Sequence, residues 1–324
     1  MHPPQVPILG ALKSGTIQRH LVELPGAALT DERRPVVTVT GAKPGPVLFV
    51  GAGVHGGEYP AIEAVIRLST TLDPTALAGT VILMPVLNLP AFRSRTPFVC
   101  PVDNVNPNRV FPGDPEGSYS EQMTHALINE FVVHADAYLD LHGGDIPEAL
   151  VPFSICRGGD APVDAKAMEL AIVFGLPYVL AVDRPIQPAK GSSSYVAAAE
   201  RGVPAVLVEA GGVGQLQPDA VDLLVNGVRR VLLHLAMIEM TVPAVPAPQV
   251  LGAFEWVYAK NTGMFYSAVA AGDVVQRGEE LGTVGSLFGE TLERVVAPAR
   301  GRILFLTVNP SVQENGLLMG IGVG

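Results

Sequence analysis

The 324-residue sequence contains only two cysteines, Cys100 and Cys156, and only 16% of its residues are charged. Two cysteines are too few for a disulfide framework or for a cysteine-rich zinc finger. The low charge and the 48% content of hydrophobic residues exclude a disordered chain and indicate a well-buried globular protein. The length allows one large domain together with a small one.

Basic residues and long apolar runs are also scarce. The net charge of −10 argues against a nucleic acid or an anionic membrane as partner, although a few inward-facing arginines could still bind a small anion. No apolar run approaches the roughly 18–20 residues that cross a bilayer. Residues 1–10 lack the basic start, apolar middle and cleavage site of a signal peptide. We therefore expect a cytoplasmic protein that binds a small molecule, and a homo-oligomer remains possible.

Strand and helix patterns alternate through most of residues 45–240. Apolar runs such as PVLFVGAG, TVILMPVL, AYLDL and PAVLVE are typical of buried strands, and the segments between them have the periodicity of amphipathic helices. One of these, residues 219–240, predicts a long helix. The alternation predicts an α/β domain whose mixed, largely parallel sheet is flanked by helices. Residues 88–117 predict a long loop, and a loop of that length in a compact domain is usually functional.

The proline-rich segment 242–250 predicts a domain boundary. We expect an α/β domain with a β-rich N-terminal segment over residues 1–241, and a small all-β module over 242–324. The G-D-x-V-x-x-G-E and A-P-x-x-G turns of this module resemble those of a lipoyl/biotinyl-like barrel-sandwich. Its only lysine, Lys260, lies outside the two turns, so we expect a cap over the mouth of a site and not a carrier.

A histidine is followed three residues later by an acid at three places: His20/Glu23, His55/Glu58 and His142/Asp145. With seven histidines, about one such match is expected by chance, so the spacing alone does not identify a site. Position sets the first pair apart, because ligand sites of open α/β sheets lie at the carboxyl ends of strands. The first pair lies inside an alternating strand, where residues i and i+3 point to opposite faces. In the third pair, Asp145 follows His142 through two glycines, but no second histidine lies nearby in the sequence.

Several polar residues are predicted to meet at that rim of the sheet. They are His55 and Glu58 after one strand, Asn108 and Arg109 in the long loop, His142 after a third strand, and Glu209 at the end of a fourth. Two histidines and a carboxylate with an open coordination position are the usual ligands of a catalytic zinc. Asp140 lies on the same strand face as His142 and could orient its imidazole. The alternatives are loop histidines bonded to backbone groups and, for Glu209, a buried salt bridge.

Five ordered motifs carry a resemblance to a known family: GVHGGEYP at 53–60, NLPAF at 88–92, PVDNVNPNRVFPG at 101–113, DLHGGD at 140–145 and VEAGG at 208–212. Together they resemble the succinylglutamate desuccinylase/aspartoacylase family, relatives of the zinc carboxypeptidases. The resemblance is close over residues 45–235. It implies a zinc-carboxypeptidase-like fold for the α/β domain.

The resemblance also implies roles for individual residues. His55, Glu58 and His142 would bind one Zn²⁺ per chain, and Glu209 would be the general base that activates a zinc-bound water. Arg95, or alternatively Arg93, would polarise the scissile carbonyl.

Further along the loop, Asn108 and Arg109 would clamp a substrate carboxylate. Pro107 departs from the leucine that is common in the family, which changes the backbone beside this clamp.

From these observations we expect a zinc-dependent amide hydrolase that deacylates an N-acyl amino acid or a related small N-acyl amine. The first alternative is a zinc metallopeptidase that acts on a dipeptide or a peptide terminus. A non-catalytic ligand-binding protein of the same fold is the second alternative, and the presence of all three metal-ligand candidates and of Glu209 argues against it.

Overall fold

The computed structural model describes residues 12–30, 32–182 and 191–324. Within these ranges, nine strands form one large sheet in the order β1-β2-β4-β3-β5-β9-β7-β8-β10, with β6 outside it. Five of its neighbouring pairs are parallel and three are antiparallel, which confirms the prediction of a mixed, largely parallel sheet. The strands are β1 (Thr16–Glu23), β2 (Arg33–Thr40), β3 (Lys43–Ala52), β4 (Ala78–Met84), β5 (Ala137–His142), β6 (Glu148–Leu150), β7 (Phe153–Arg157), β8 (Tyr178–Val182), β9 (Ala205–Glu209) and β10 (Gln249–Leu251).

Helices cover both faces of this sheet. Alternate residues of β3 show the arrangement, since Leu48 and Val50 join one hydrophobic core while Phe49 joins the other. Helices α1, α4 and α6 pack in the first core, and α3 and α5 pack in the second. The helices are α1 (Tyr59–Thr71), α2 (Leu89–Ser94), α3 (Tyr119–Glu130), α4 (Pro162–Phe174), α5 (Ser194–Ala199) and α6 (Pro218–His234). In the described part of the chain, no helix has the length and apolar character to cross a membrane.

The predicted loop at residues 88–117 contains more regular structure than the sequence indicated. It begins with α2, because the Asn88 side chain accepts a hydrogen bond from the backbone N–H of Ala91 (3.2 Å) and Pro90 suits the first turn. Further along, Pro107–Arg109 form a single 3₁₀ turn. The loop therefore contains regular structure at both of these places.

The prediction of a helix that continues to residue 240 was wrong, since α6 ends at His234. Ala236 takes a left-handed conformation with φ of 54°. The backbone N–H groups of Ala236 and Met237 then bond back to the carbonyls of Leu233 (3.0 Å) and Leu232 (2.9 Å), which is the pattern of a Schellman helix end. The apolar periodicity continues past this stop because Met237 is buried in the same core.

The C-terminal segment forms two antiparallel sheets around its own hydrophobic core. One sheet has the order β11-β18-β16-β13 and the other β15-β14-β12-β17. Their bounds are β11 (Ala253–Tyr258), β12 (Gly263–Ser267), β13 (Val274–Val275), β14 (Glu280–Gly285), β15 (Thr291–Val296), β16 (Gly301–Thr307), β17 (Ser311–Val312) and β18 (Leu317–Val323). The boundary at residues 241/242 and the barrel-sandwich class remain predictions.

Two strand pairings tie this C-terminal segment to the α/β part. Strand β10, just before it, pairs in parallel with β8 at the edge of the large sheet. Strand β6, from the loop after β5, pairs antiparallel with β16, so that Leu150 lies opposite Phe305. The C-terminal sheets are thereby held against the end of the large sheet where β5 terminates.

The turn after β3 packs closely against α2 at Gly56, and a substitution there tests this packing. A Cβ atom added at Gly56 would lie 2.1 Å from the backbone nitrogen of Phe92 and 2.3 Å from the carbonyl carbon of Ala91. We expect Gly56→Ala to destabilise the fold by roughly 1–3 kcal/mol, because backbone must move to make room. The matched control is Gly252→Ala, where a Cβ meets no atom within 4 Å. Thermal unfolding of both variants is the measurement, and a wild-type midpoint for Gly56→Ala would contradict the close packing.

Candidate active site

Four predicted polar residues lie at the carboxyl ends of three neighbouring strands. His55 lies in the turn after β3, and Glu58 directly precedes α1. His142 and Glu209 are the last residues of β5 and β9, and they lie opposite each other in the parallel register. Nitrogen and oxygen atoms of His55, Glu58 and His142 approach within 4.8 Å of one another, a spacing that could hold a metal ion.

Both imidazoles face Glu58 with the same ring nitrogen. Nδ1 of His55 lies 2.7 Å from Oε1 of Glu58, and Nδ1 of His142 lies 3.0 Å from Oε2. On the outer side, Nε2 of His55 lies 3.1 Å from Oδ1 of Asn106, and Nε2 of His142 lies 3.0 Å from Oδ2 of Asp140. An outer oxygen favours the tautomer with the proton on Nε2, which leaves Nδ1 free to bind a cation.

Three atoms of this cluster are buried and have no contact with hydrogen-bond geometry, namely Oε2 of Glu58 and both ring nitrogens of His142. Burial raises the pKa of Glu58, but the charges of His142 and His55 outweigh it and hold the pKa below its usual value. Burial lowers the pKa of His142, while Asp140 and Glu58 raise it well above the usual value. Buried polar atoms are rarely left without partners, so the donor set fits a cation placed between the three side chains.

Asp140 belongs to a chain of contacts that the sequence indicated only in part. Its Oδ2 faces Nε2 of His142, as expected, and also accepts a hydrogen bond from the hydroxyl of Ser194. The backbone N–H of Ser194 donates to Oδ1 of Asn108 at 3.1 Å. The metal-ligand candidate His142 is thereby connected through Ser194 to the predicted substrate clamp.

Asn106 makes a second connection of this kind, and sequence reasoning missed it. Its Oδ1 accepts a hydrogen bond from the backbone N–H of Asn108 (2.9 Å) and lies beside Nε2 of His55. Pro107 takes the first position of the 3₁₀ turn, where an N–H would have no helical partner, so the departure from the family pattern is accommodated. The Asn-Pro dipeptide is a turn signal that could have identified this residue.

Glu209 lines a cavity of about 550 Å³ together with His55 and Glu58. Its Oε2 is buried without a hydrogen-bond partner. Burial, together with the charges of Glu58, Glu148 and Asp140, raises its pKa well above the usual value although His142 lowers it. A carboxyl group with a raised pKa beside a cation site is a candidate for proton transfer.

The predicted clamp residues Asn108 and Arg109 also line the cavity. Asn108 is buried, and its backbone carbonyl accepts a hydrogen bond from Nη1 of Arg109 (2.8 Å). Burial lowers the pKa of Arg109, against the effect of Tyr195, Tyr258, Glu148 and Glu209. Among the described residues that line the cavity, Arg109 is the only arginine.

Arg95 and Arg93 lie elsewhere. Arg95 is exposed, follows α2 in a left-handed conformation (φ 56°), and is not among the described residues of the cavity wall. The Arg93 side chain is 64% exposed and lies 3.8 Å from a carboxylate oxygen of Glu32. The predicted contact of either arginine with a scissile carbonyl therefore gains no support from its position and stays a prediction.

The other two histidine–acid pairs behave differently from His55/Glu58. His20 lies 3.4 Å from the Thr38 hydroxyl, whereas Glu23 pairs with Arg33 at 2.8 Å. Asp145 is fully buried and accepts hydrogen bonds from the backbone N–H groups of Phe98 (2.6 Å) and Ile146 (2.7 Å). His20 and Glu23 thus have separate partners, as expected for positions i and i+3 of a strand, and Asp145 lies outside the group of His55, Glu58 and His142.

These contacts of Asp145 anchor the loop at Phe98, whose ring meets the edge of the His55 ring with centroids 6.0 Å apart.

Two further residues of the cavity wall were not predicted from the sequence. The buried hydroxyl of Tyr195 has no hydrogen-bond partner in the described ranges. Glu148 adds another acid to the wall, and its pKa is raised to about 8 by burial and by the charges of Glu58 and Asp145. Neither residue lies in one of the family motifs.

Comparison with known proteins identifies a family for most of the α/β part. Residues 44–235 match the model of the succinylglutamate desuccinylase/aspartoacylase catalytic domain. A protein from Halomonas elongata, N-alpha-acetyl-L-2,4-diaminobutyric acid deacetylase, is 32% identical over 256 residues, which cover 76% of this chain and 73% of the relative.

Solved structures share the fold over nearly the whole chain. A succinylglutamate desuccinylase/aspartoacylase from Rhodobacter sphaeroides has a TM-score of 0.84 at 24% identity, with 97% of each chain covered. The product-bound ectoine utilization protein EutE (DoeB) from Ruegeria pomeroyi has a TM-score of 0.86 at 22% identity, covering 99% of this chain and 98% of that one. Because both alignments include the C-terminal sheets, the whole architecture is shared with these proteins.

The raised pKa of Glu148 predicts a pH-dependent stability in protein kept metal-free with a chelator. Between its ordinary pKa of 4.5 and about 8, Glu148 is ionised in the unfolded chain but protonated in the fold, so its stabilising contribution is lost as pH rises. We expect Glu148→Gln to unfold at a higher temperature than wild type, by a margin that grows from pH 5 to pH 8, to about a few degrees. Glu255→Gln on exposed β11 is the control, and a margin independent of pH would contradict the shifted pKa.

Proposed function

Because the chain belongs to the succinylglutamate desuccinylase/aspartoacylase family of deacylases, we propose that it is a zinc-dependent hydrolase of an N-acyl amino acid or a related small N-acyl amine. The observation that carries the proposal is the cluster of His55, Glu58 and His142 on the wall of a cavity, next to the unpartnered carboxylate oxygen of Glu209. The Halomonas relative, named as a deacetylase of an N-acetylated amino acid, supports amide hydrolysis.

Zinc would be held by Nδ1 of His55, the carboxylate of Glu58 and Nδ1 of His142. When bound, it supplies a water that loses its proton near neutral pH and an electrophile for the amide carbonyl. Asn106 and Asp140 hold the outer ring nitrogens, so neither imidazole has to reorient to accept the ion. An ion in this position would also give a partner to Oε2 of Glu58 and Nδ1 of His142, which are buried and have no hydrogen bond.

Glu209 would transfer the proton. In the ionised form, its unpartnered carboxylate oxygen accepts a proton from the attacking water, and it then delivers that proton to the amide nitrogen as the C–N bond breaks. The products are a carboxylate and a free amine. Burial raises the pKa of Glu209 above its usual value, which favours a carboxyl group that can hold the proton between these two transfers.

Asn108 and Arg109 would bind the α-carboxylate of the amino acid. Arg109 is the only arginine among the described residues of the cavity wall, and a guanidinium can bind a carboxylate through two parallel hydrogen bonds. A volume of about 550 Å³ suits a small molecule, and aromatic side chains of the C-terminal sheets close one side. A cavity of this size accommodates an N-acyl amino acid or a dipeptide, and a panel of both kinds of substrate separates the two.

Metal content is the first test of the proposal. We expect purified protein to contain about one zinc ion per chain and to lose it in His55→Ala and in His142→Ala, because each change removes one of three protein ligands. His20→Ala, on exposed-edge strand β1, is the control that should keep the metal. Elemental analysis provides the measurement, and full zinc content in both ligand variants would refute the site.

Glu209→Gln is the second test, since it removes the proton acceptor and keeps the shape of the side chain. We expect zinc content to be retained while kcat falls by about 10²–10⁴-fold. A panel of N-acetyl amino acids and dipeptides is the assay, with Glu23→Gln on β1 as the control. Turnover close to wild type in Glu209→Gln would exclude it as the base, and a preference for dipeptides in the wild type would favour the metallopeptidase.

A further inference from the structure

Strand β1 is the longest strand at the end of any sheet in the described part of the chain. Its eight residues, Thr16–Glu23, pair with β2 without a register shift. The other end strands of the described sheets have two to six residues, and the two longest of them, β11 and β15, contain bulges. Proteins usually keep edge strands short, bulged or interrupted by proline, because an open edge can pair with another chain. Strand β1 is neither short nor bulged, and it contains no proline.

An apolar side chain lies near the end of this edge. Leu21 is 68% exposed to solvent. Ile17 projects from the same face of the strand and packs against the first hydrophobic core, so Leu21 lies beyond the area that the helices cover. The residue opposite Leu21 on β2 is Pro35, which is half-buried. Leu21 and Pro35 therefore form an apolar patch at the border of the large sheet.

Two opposite charges flank Leu21 on this face. Arg19 precedes it by two residues and Glu23 follows it by two, so the three side chains project to the same side of β1. Arg19 is exposed and lies opposite the uncharged Val37. One carboxylate oxygen of Glu23 lies 2.8 Å from Nε of Arg33 on β2, and the other oxygen can accept from a second cation. The order basic, apolar, acidic is complementary to itself when the strand runs in the opposite direction.

We propose that β1 pairs antiparallel with β1 of a second copy of the chain, about a two-fold axis that passes through Leu21 perpendicular to the sheet. Leu21 then packs on its own counterpart, and each Arg19 lies opposite Glu23 of the other copy, so the dimer has two ion pairs. All opposed residues share one face of the joined sheet. An axis through His20 would place Arg19 opposite Leu21, and one through Arg19 would oppose two arginines.

This dimer is independent of the proposed hydrolysis. Strand β1 lies three positions from β3 in the sheet order, and none of the described residues that line the cavity belongs to it. Each chain therefore carries a complete candidate site, and we expect turnover per chain to be the same in the monomer and in the dimer.

Sedimentation velocity of the full chain, from low micromolar to submillimolar concentration, tests the association. We expect wild type to form a dimer that dissociates on dilution, because one strand pair makes a small interface. Leu21→Glu is expected to raise the dissociation constant about 10- to 100-fold, since two carboxylates would then face each other on the axis. The matched control is Leu287→Glu, at a leucine that is 86% exposed between β14 and β15, and it should leave the dimer unchanged.

Exchange of the two charges tests the register. Arg19→Glu and Glu23→Arg each place like charges opposite each other, so each variant alone is expected to stay monomeric where wild type is a dimer. A mixture of the two variants is complementary at both pairs and should form a heterodimer. The double variant Arg19→Glu/Glu23→Arg is again complementary to itself and should dimerise as wild type does. Thermal midpoints establish that each variant is folded.

The outcomes decide both the surface and the register. Recovery of association in the mixture and in the double variant would support the proposal. A wild type that stays monomeric over the whole concentration range would overturn it. A dimer that survives Leu21→Glu, or is lost in Leu287→Glu instead, would assign the association to another surface. A dimer that is lost in Leu21→Glu but unchanged by either single charge variant would refute the axis through Leu21.

Discussion

The candidate site is built around one buried carboxylate that contacts two imidazoles. Glu58 is only 2% exposed and meets Nδ1 of both His55 and His142. It lies at the start of α1, whereas the histidines come from the turn after β3 and from the end of β5. Burying these groups together costs free energy, and the 3.0 Å contact between Oε2 of Glu58 and Nδ1 of His142 lacks hydrogen-bond geometry. Buried residues of β3, β5 and α1 share one hydrophobic core, which holds the elements that carry the three side chains together.

The outer contacts of the two histidines make the cluster depend on the long loop. His55 is held by Asn106, whose side chain also caps the turn that presents Asn108 and Arg109. His142 is held by Asp140, which receives the Ser194 hydroxyl, and the Ser194 backbone in turn holds Asn108. The metal-ligand candidates and the predicted clamp are therefore joined by two chains of polar contacts. Asn108 is connected to the His55 imidazole through Asn106, and to the His142 imidazole through Ser194 and Asp140.

The sequence was sufficient to predict which site residues lie together when those residues follow the ends of strands. Parallel strands place their carboxyl ends at one rim, so the strand pattern alone was enough to group His55, Glu58, His142 and Glu209. Residues whose position depends on tertiary pairing could not be grouped in this way. Glu148 reaches the cavity because β6 pairs with β16, about 160 residues away in the chain, a contact with no local signal. The end of α6 at His234 could not be predicted from the sequence either, because the apolar residues continue past the left-handed turn at Ala236.

The same pairing gives the C-terminal sheets a direct part in the cavity. A separate cap would only restrict access, but β16 fixes the backbone of Glu148 by strand pairing and supplies Phe305 to the same face. Strand β11 adds Phe254 and Trp256. One side of the cavity thus carries the atoms suited to a cation and to proton transfer, while the other carries an acid among aromatic rings. The aromatic rings come from β11 and β16 of the C-terminal sheets, whereas the cluster around Glu58 and the acid Glu148 come from the α/β part, so the cavity is complete only when the two parts pack together.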